Sequence, residues 1–597
     1  MVTLRNKFML SIFFLIWTTL LVRIFFLSIQ SNEYYEALAN KNSIRNEAIA
    51  PIRGEILDIN GKPLAINRLG FKVLISAHLS NKKKHHILEE EINELVLRLP
   101  FLDKEELIKL YVRKDSYYNH EPIELVDFIS YEKILPVYSV LNLRKYLQLS
   151  IAQKRFYPNG KLASHLIGYI SKANKKEEDS NSVAKLTGIT GKNGIEKKYN
   201  KYLQGESGSL KLKVSAYNEK IEELSYTPPL ENNNLTLWLD YRLQEYIEEL
   251  FDDKAGAVIV MRTDGAILSA SSFPQYDINT FVSGISSKEW KDLIDNVNAP
   301  FTNKYINGLY PPGSTVKTGL GAIYLNSNQI NRWTKTYCNG SMTLGKRKFR
   351  CWKHKGHGTT NLNKAIRESC DDYFYKGSLK VGIATMSEGL KRYGLGQKSG
   401  IDLPNEFIGT VPNREWKRQK FNRPWYMGET LNTSIGQGNL LTTPIQIARF
   451  TALVATDFLP TPHVVARIGD TEVESEVKDV LNINEKSYMP YIRKAMEEVC
   501  NHPKGTATSY LRSRVRIAGK TGTAQVIGIS QKTKKRLKEH QMDYFKRSHA
   551  WFTTFGPVKN PQYVVTVLVE HGGHGGQAAG LIVSKIYNKL LQLGYID

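Results

Sequence analysis

Tyr310-Pro311-Pro312-Gly313-Ser314-Thr315-Val316-Lys317 reads as a loop that runs straight into a helix. The prolines forbid a continuing helix and the glycine permits a sharp turn. The residues that follow, Thr318-Gly319-Leu320-Gly321-Ala322-Ile323-Tyr324-Leu325, are largely apolar and predict a buried helix. Ser314 therefore falls at a helix N-terminus, where free N–H groups and the positive dipole end favour developing negative charge. Lys317 lies one turn on, within reach of the serine oxygen. Farther along stand Ser369-Cys370-Asp371 and Lys520-Thr521-Gly522-Thr523. Together the three strings supply a nucleophile, an amine to deprotonate it, a second hydroxyl, and a cationic edge for a carboxylate. That is the equipment of an active-site-serine acyl transferase for peptides ending in a free carboxylate.

Context separates these strings from chance matches. Ser80, Ser130 and Ser182 also begin S-x-x-K, and Lys317-Thr318-Gly319 is a second K-T-G. The other serines lack the loop-to-helix entry, and the second K-T-G lies inside the helix. Lys520 instead sits in Val515–Val526, an alternating, glycine-interrupted pattern suited to a strand beside a site.

The chemistry follows from the residue types. A serine hydroxyl needs a base, and a free lysine is protonated at neutral pH. Burial and the neighbouring charge of Lys520 are expected to lower the pKa of Lys317. The backbone N–H groups of Ser314 and Thr523 are placed to meet an oxyanion. Ser369 relays a proton to the leaving group, and Asp371 orients that hydroxyl and Lys317. Lys520, with the hydroxyls of Thr521 and Thr523 around Gly522, holds the terminal carboxylate.

The chain has 597 residues, 41% hydrophobic and 23% charged, which is ordinary for a globular protein. Its net charge is +24. The basic residues are scattered and no nucleic-acid module is visible, so nucleic acid is not an expected partner. Phe8–Ile29 is long and apolar enough for one bilayer crossing, with Arg23 able to snorkel. Arg5 and Lys7 precede it, which predicts a cytoplasmic N-terminus, a retained single-pass anchor and an exported remainder. A cleaved signal peptide is the alternative, with Ala37-Leu38-Ala39 as its small-residue site.

Three domains are expected: 1–30 as tip and anchor, 31–230 as a polar, helix-rich pedestal, and 231–597 as the catalytic domain. In the pedestal, Leu88–Leu99 reads as an amphipathic surface helix and 174–182 as a flexible stretch. From residue 235 the pattern changes. Leu235–Asp240 alternates like a strand, and Arg242–Phe251 has a helical period. Thr263-Asp264-Gly265 reads as a hairpin turn, 550–555 and 563–570 as strands, and Ala578–Leu593 as a helix. The fold class is α+β: an antiparallel sheet built from both terminal segments and covered by helices, with the serine helix buried behind it. The segment Gly528–Ser548 reads as a basic, solvated loop.

With these motifs the chain resembles a class B penicillin-binding protein of the elongation type, over almost its whole length. Pro51-Ile52-Arg53-Gly54 through Asp58, Arg155-Phe156-Tyr157-Pro158, and Gly194-Ile195-Glu196 are similar to the family's N-terminal motifs. Leu235–Asp240 resembles the opening of its transpeptidase domain, and Trp416-Lys417, Pro424-Trp425 and Gly436-Gln437-Gly438 resemble segments of the elongation type. Asp371 is a departure, since many relatives carry Asn there. The resemblance implies a transpeptidase fold of the serine β-lactamase type on an elongated pedestal, facing the periplasm from the inner membrane. It implies attack on the penultimate D-alanine of a peptidoglycan stem peptide, cross-linking by an amine of a neighbouring stem, and acylation of Ser314 by β-lactams. It also implies a SEDS-type glycosyltransferase and a rod-complex scaffold as partners.

Three of the four cysteines lie within 33 residues, and with His357 they spell C-x12-C-x5-H-x12-C. Cys338, Cys351, Cys370 and a histidine suit a closed tetrahedral zinc site. By residue type alone His354 competes with His357, and a Cys338–Cys351 disulfide with Cys370 as a buried thiol is the alternative. The resemblance implies structural zinc in this segment and favours His357. Cys500 reads as an unpaired core residue.

Without the resemblance, other functions keep the same trio. A D,D-carboxypeptidase differs only in using water as acceptor. A β-lactamase or β-lactam sensor shares the motifs but needs a deacylating base that the sequence does not reveal. A scaffold that has kept the motifs is the non-catalytic reading.

Overall fold

The computed structural model describes residues 4–30, 43–118, 121–214, 220–230, 233–251, 254–526 and 539–597. The chain divides into two compact units. The Ala37-Leu38-Ala39 cleavage reading lies outside the described residues, as does the 528–538 part of the Gly528–Ser548 loop reading.

The first unit comprises Met1–Arg53, Ala173–Gly188 and Gln204–Asn232. Its helix Leu4–Phe25 buries none of its residues. Together with the turn that follows, it is long and apolar enough to cross a membrane. Strands Ile44–Ile49, Gly208–Val214 and Lys220–Thr227 form an antiparallel sheet with Gly208–Val214 in the centre. The 174–182 stretch corrects the expectation of flexibility. It carries helix Lys175–Ser180, whose Asn174 accepts from the Glu177 N–H while Glu177 accepts from the Asn174 N–H. Asn181 then caps Ser182–Thr187. Polar composition hid two short helices whose starts are fixed by side-chain caps.

The second unit comprises Gly54–Lys172, Ile189–Leu203 and Asn233–Asp597. Its N-terminal part holds many helices, as expected, and also long strands that the sequence did not announce. Strand Pro63–Ile75 pairs with both Ile123–Ser130 and Leu147–Phe156. These strands have one half-exposed face, so their alternating polar residues imitate surface helix. Helix His85–Arg98 buries Leu88, Ile92 and Leu95, as its period requires, in the same core as Val73 and Ile75. The N-terminal motifs meet at one buried ion pair. Arg155 Nε donates to Glu196 at 2.7 Å, Arg155 Nη1 to the Gly54 carbonyl at 2.7 Å, and the Tyr157 hydroxyl to Glu196 at 3.1 Å. Leu235–Leu237 is a strand, but it pairs with Ile56–Leu57 and Val465–Ile468 in the same sheet as Pro63–Ile75.

Lys520 belongs to a separate five-stranded antiparallel sheet. The order is Ile267–Phe273, Gly256–Arg262, Tyr563–Val569, His549–Gly556 and Ala518–Ala524, so both terminal segments join and the K-T-G strand is an edge. Strand Tyr563–Val569 is buried throughout, because helices cover the sheet on either side. Gly575–Gln592 and Pro444–Thr456 both pack on its central strands. A chain of hydroxyls ties the second of these helices to the sheet: Thr451 to Thr553 at 2.7 Å, and Thr553 to Thr566 at 2.8 Å. The serine helix, Lys317–Asn326, is buried from Lys317 to Leu325. It packs on helix Ile483–Asn501, which in turn packs on the K-T-G strand.

Candidate active site

Close backbone approach brings the serine loop to the strand edge. Gly313–Val316 forms a short 3-10 turn ahead of the helix, and Gly313 has φ +56°. A Cβ on Gly522 would lie 2.9 Å from the Pro312 carbonyl and 3.0 Å from the Thr315 methyl, so only glycine lets loop and strand touch. The Gly313 N–H donates to the Gly436 carbonyl at 2.9 Å. Trp551 Nε1 donates to the Pro311 carbonyl at 3.1 Å.

Four of the five expected catalytic residues are joined by hydrogen bonds. Lys317 Nζ donates to Asp371 Oδ1 at 2.7 Å, to the Ser369 carbonyl at 3.2 Å and to Ser369 Oγ at 3.4 Å. Lys520 Nζ donates to Ser369 Oγ at 3.0 Å and to the Thr521 carbonyl at 2.9 Å. Both lysines are 0% exposed. Ser314 stands half-buried one turn from Lys317. Among the described residues no hydrogen bond joins Ser314 Oγ to Lys317 Nζ; the amine is turned towards Ser369 and Asp371.

Ser369 has φ +55°, a strained conformation for a residue with a side chain. The strain aims its hydroxyl between the two amines. Asp371 is held from its other oxygen by the Trp352 N–H at 2.9 Å. Burial keeps its carboxyl above the usual range, against the pull of Lys317. The depressed amine that the structure shows at this site is Lys520. Burial drives Lys520 well below the ordinary lysine range, and the neighbouring charge of Lys317 adds to the effect. Asp371 contacts Lys317 directly, whereas no carboxylate among the described residues forms a salt bridge with Lys520.

The strand edge has the polarity the chemistry requires. The Thr523 carbonyl accepts from Gln437 Nε2 at 2.9 Å. In a strand a residue's N–H and C=O point to the same side, so the Thr523 N–H also faces the free edge beside the Ser314 loop. Thr523 is half-buried, while the Thr521 hydroxyl is engaged with Thr506 at 2.7 Å. Gln437 was legible only as part of a family segment, because nothing in G-Q-G spells out a partner 86 residues away.

Cys338, Cys351, His357 and Cys370 converge. All four are buried, with donor atoms within 4.8 Å of one another. His357 Nδ1 lies 3.6 Å from Cys338 Sγ and 3.5 Å from Cys351 Sγ. A tetrahedron with Zn–S of about 2.3 Å and Zn–N of about 2.05 Å has S···N edges of about 3.5 Å, so the donor set fits zinc. The cysteines are free, with no disulfide. Hydrogen bonding from Cys370 draws Cys338 down to about 6 and lowers Cys351 too, towards the thiolate form a metal binds.

Fold and site define a penicillin-binding transpeptidase, and the chain belongs to that family. Residues 255–592 match the penicillin-binding protein transpeptidase domain, and residues 48–237 the penicillin-binding protein dimerisation domain. Within the family several of its relatives are of the MrdA, or penicillin-binding protein 2, type. It is 33% identical to the peptidoglycan D,D-transpeptidase MrdA of Escherichia coli K12, over 93% of this chain and 89% of that one. A solved complex of penicillin-binding protein 2 with MreC from Helicobacter pylori superposes with a TM-score of 0.85 at 42% identity, over 93% of this chain and 99% of that one. A solved peptidoglycan synthase complex that coordinates polymerization and crosslinking gives 0.72 at 26% identity, over 99% of both chains.

Proposed function

We propose that the protein is a peptidoglycan D,D-transpeptidase of cell-wall elongation, anchored by its N-terminal helix in the inner membrane with the bulk of the chain periplasmic. The observation that carries this reading is the convergence of Lys317, Asp371 and Lys520 around Ser369, with Lys317 one turn from Ser314. The similarity to MrdA supplies the substrate class.

Ser314 Oγ attacks the carbonyl of the penultimate D-alanine. Lys317 takes the Ser314 proton once its own has passed to Asp371 across their 2.7 Å bond, a transfer that the raised Asp371 carboxyl favours. The oxyanion meets the N–H groups of Ser314 and Thr523. Ser369 passes a proton to the departing D-alanine. The substrate's terminal carboxylate gives Lys520 the counter-charge it lacks, so carboxylate binding and protonation of Lys520 go together. Thr523 supports that carboxylate directly, and Thr521 does so only if its bond to Thr506 opens.

A zinc ion held by Cys338, Cys351, His357 and Cys370 would act structurally, as a cross-link. Cys370 stands between Ser369 and Asp371, so the cluster fixes the strained motif from its middle residue. Metal analysis of the purified protein tests this: one zinc per chain is expected, and a metal-free protein of unchanged melting temperature would end it. The partners follow the relatives: a MreC-type scaffold and a glycan-polymerising synthase.

Intact mass after incubation with penicillin tests the enzyme reading. One adduct is expected, mapped to the Ser314 peptide and absent from a folded Ser314→Ala variant. An adduct elsewhere, or none, would defeat it. Slow turnover of that adduct separates the transpeptidase from a β-lactamase.

A further inference from the structure

Residues 346–355, Lys-Arg-Lys-Phe-Arg-Cys-Trp-Lys-His-Lys, hold six Lys or Arg and no acidic residue. They run from the turn of the hairpin formed by Ser341–Leu344 and Arg347–Arg350 down to the catalytic wall. Lys346, Arg347, Lys353 and Lys355 are exposed. Of these, Lys353 lies 3.9 Å from Glu368, and the Arg347 guanidinium rides 5.6 Å over the Phe349 ring.

This segment is fastened to the active site at several points. Trp352 donates its N–H to Asp371 at 2.9 Å and its indole N–H to the Glu368 carbonyl at 3.0 Å, yet its ring stays exposed. Phe349 packs with Tyr375 and Leu431 in a small core of its own. Helix Met427–Ser434, which carries Leu431, leads directly into Gly436 and Gln437, the residues that hold the serine loop and the Thr523 carbonyl. At its other end Glu429 pairs with Lys417 of helix Arg414–Phe421, on which Arg414, Arg418 and Lys420 are exposed, with Glu415 the one exposed acid among them. A cationic surface segment thus adjoins the wall that carries Asp371, to which Trp352 ties it.

We propose that this face, centred on Lys346, Arg347 and Lys355, docks the second substrate: an uncross-linked peptidoglycan strand whose stem peptides carry free carboxylates. The proposal rests on the transpeptidase reading. The donor's carboxylate occupies the Lys520 side, so the acceptor has the opposite wall. There its amine nitrogen attacks the acyl carbon, the C–N bond forms as the C–Oγ bond to Ser314 breaks, and the amine proton returns to Ser314. Clustered surface cations concentrate a polyanion near the cleft without themselves touching the reacting atoms.

The test uses the full-length chain in detergent, with Lys346→Gln, Arg347→Gln and Lys355→Gln combined. Three exposed charge contacts predict an acceptor-strand KM about tenfold higher. Penicillin acylation of Ser314 uses no acceptor and should keep its rate. The wild-type KM should rise with ionic strength, and the variant's should rise less. An unchanged KM with normal acylation would overturn the proposal and spare the transpeptidase reading. So would loss of binding to phosphatidylglycerol vesicles at unchanged KM, which would make the face a membrane contact. Absence of a Ser314 adduct in the unaltered chain would remove both.

Discussion

Lys317 Nζ lies 2.7 Å from Asp371 Oδ1 in a site where the lysine is wholly buried. Each group justifies the burial of the other, and the pair faces the nucleophile's side of the cleft. Removing one partner therefore does two separable things: it withdraws the base and it strands a buried charge.

Lys317→Met should cost about 3 kcal/mol of stability and about 10³-fold in penicillin acylation. The double variant Lys317→Met/Asp371→Asn should recover most of the stability and none of the acylation. Melting curves read beside acylation rates check this; a double variant no more stable than the single one would mean that the pair is not coupled.

Ser369 at φ +55° separates strain from chemistry. Ser369→Ala and Ser369→Gly should both lose the hydroxyl's contribution to acylation. The glycine variant should be the more stable of the two by about 1 kcal/mol, since only glycine adopts this conformation freely. Equal melting temperatures would argue against backbone strain at this position.

Gln437 holds the carbonyl of Thr523. Gln437→Ala should slow acylation roughly tenfold, about the worth of one hydrogen bond that keeps the oxyanion donor in place. The melting temperature should hardly move. A variant that acylates normally would show that the strand edge is rigid without this contact.

His165 is buried, and its Nε2 lies 2.6 Å from the Pro300 carbonyl. Burial holds its pKa down at about 4, with Lys304 adding and Pro300 opposing. The folded value lies below the unfolded one of about 6.5, so the folded state resists protonation. Stability from this group is complete above about pH 6.5 and declines as pH falls towards 4, by at most about 3 kcal/mol. Melting temperature followed across that window should fall less steeply in His165→Gln than in the wild type.

The strings Ser314–Lys317, Ser369–Asp371 and Lys520–Gly522 were legible because each is a local arrangement: a loop into a helix, a cap, a strand edge. The five-stranded sheet was legible from alternation at both ends of the catalytic part. The strands of the N-terminal part of the second unit were not, because a half-exposed sheet spreads its apolar residues thinly. The helices around residue 181 were hidden by polarity that turned out to be capping chemistry. The zinc-type ligand set was legible as spacing, and the fold supplied what spacing lacks: four buried donors within 4.8 Å of one another.

What the chain by itself determined was therefore an inventory and its order: which groups exist, and which helix or strand carries each. Only the tertiary structure decided how the charge is shared, since this depends on contacts between residues 54 and 151 positions apart. It gave the carboxylate to Lys317 and left Lys520 as the amine that burial depresses. Desolvation and pairing belong to a point in space, and a linear sequence specifies that point only once the backbone has closed around it.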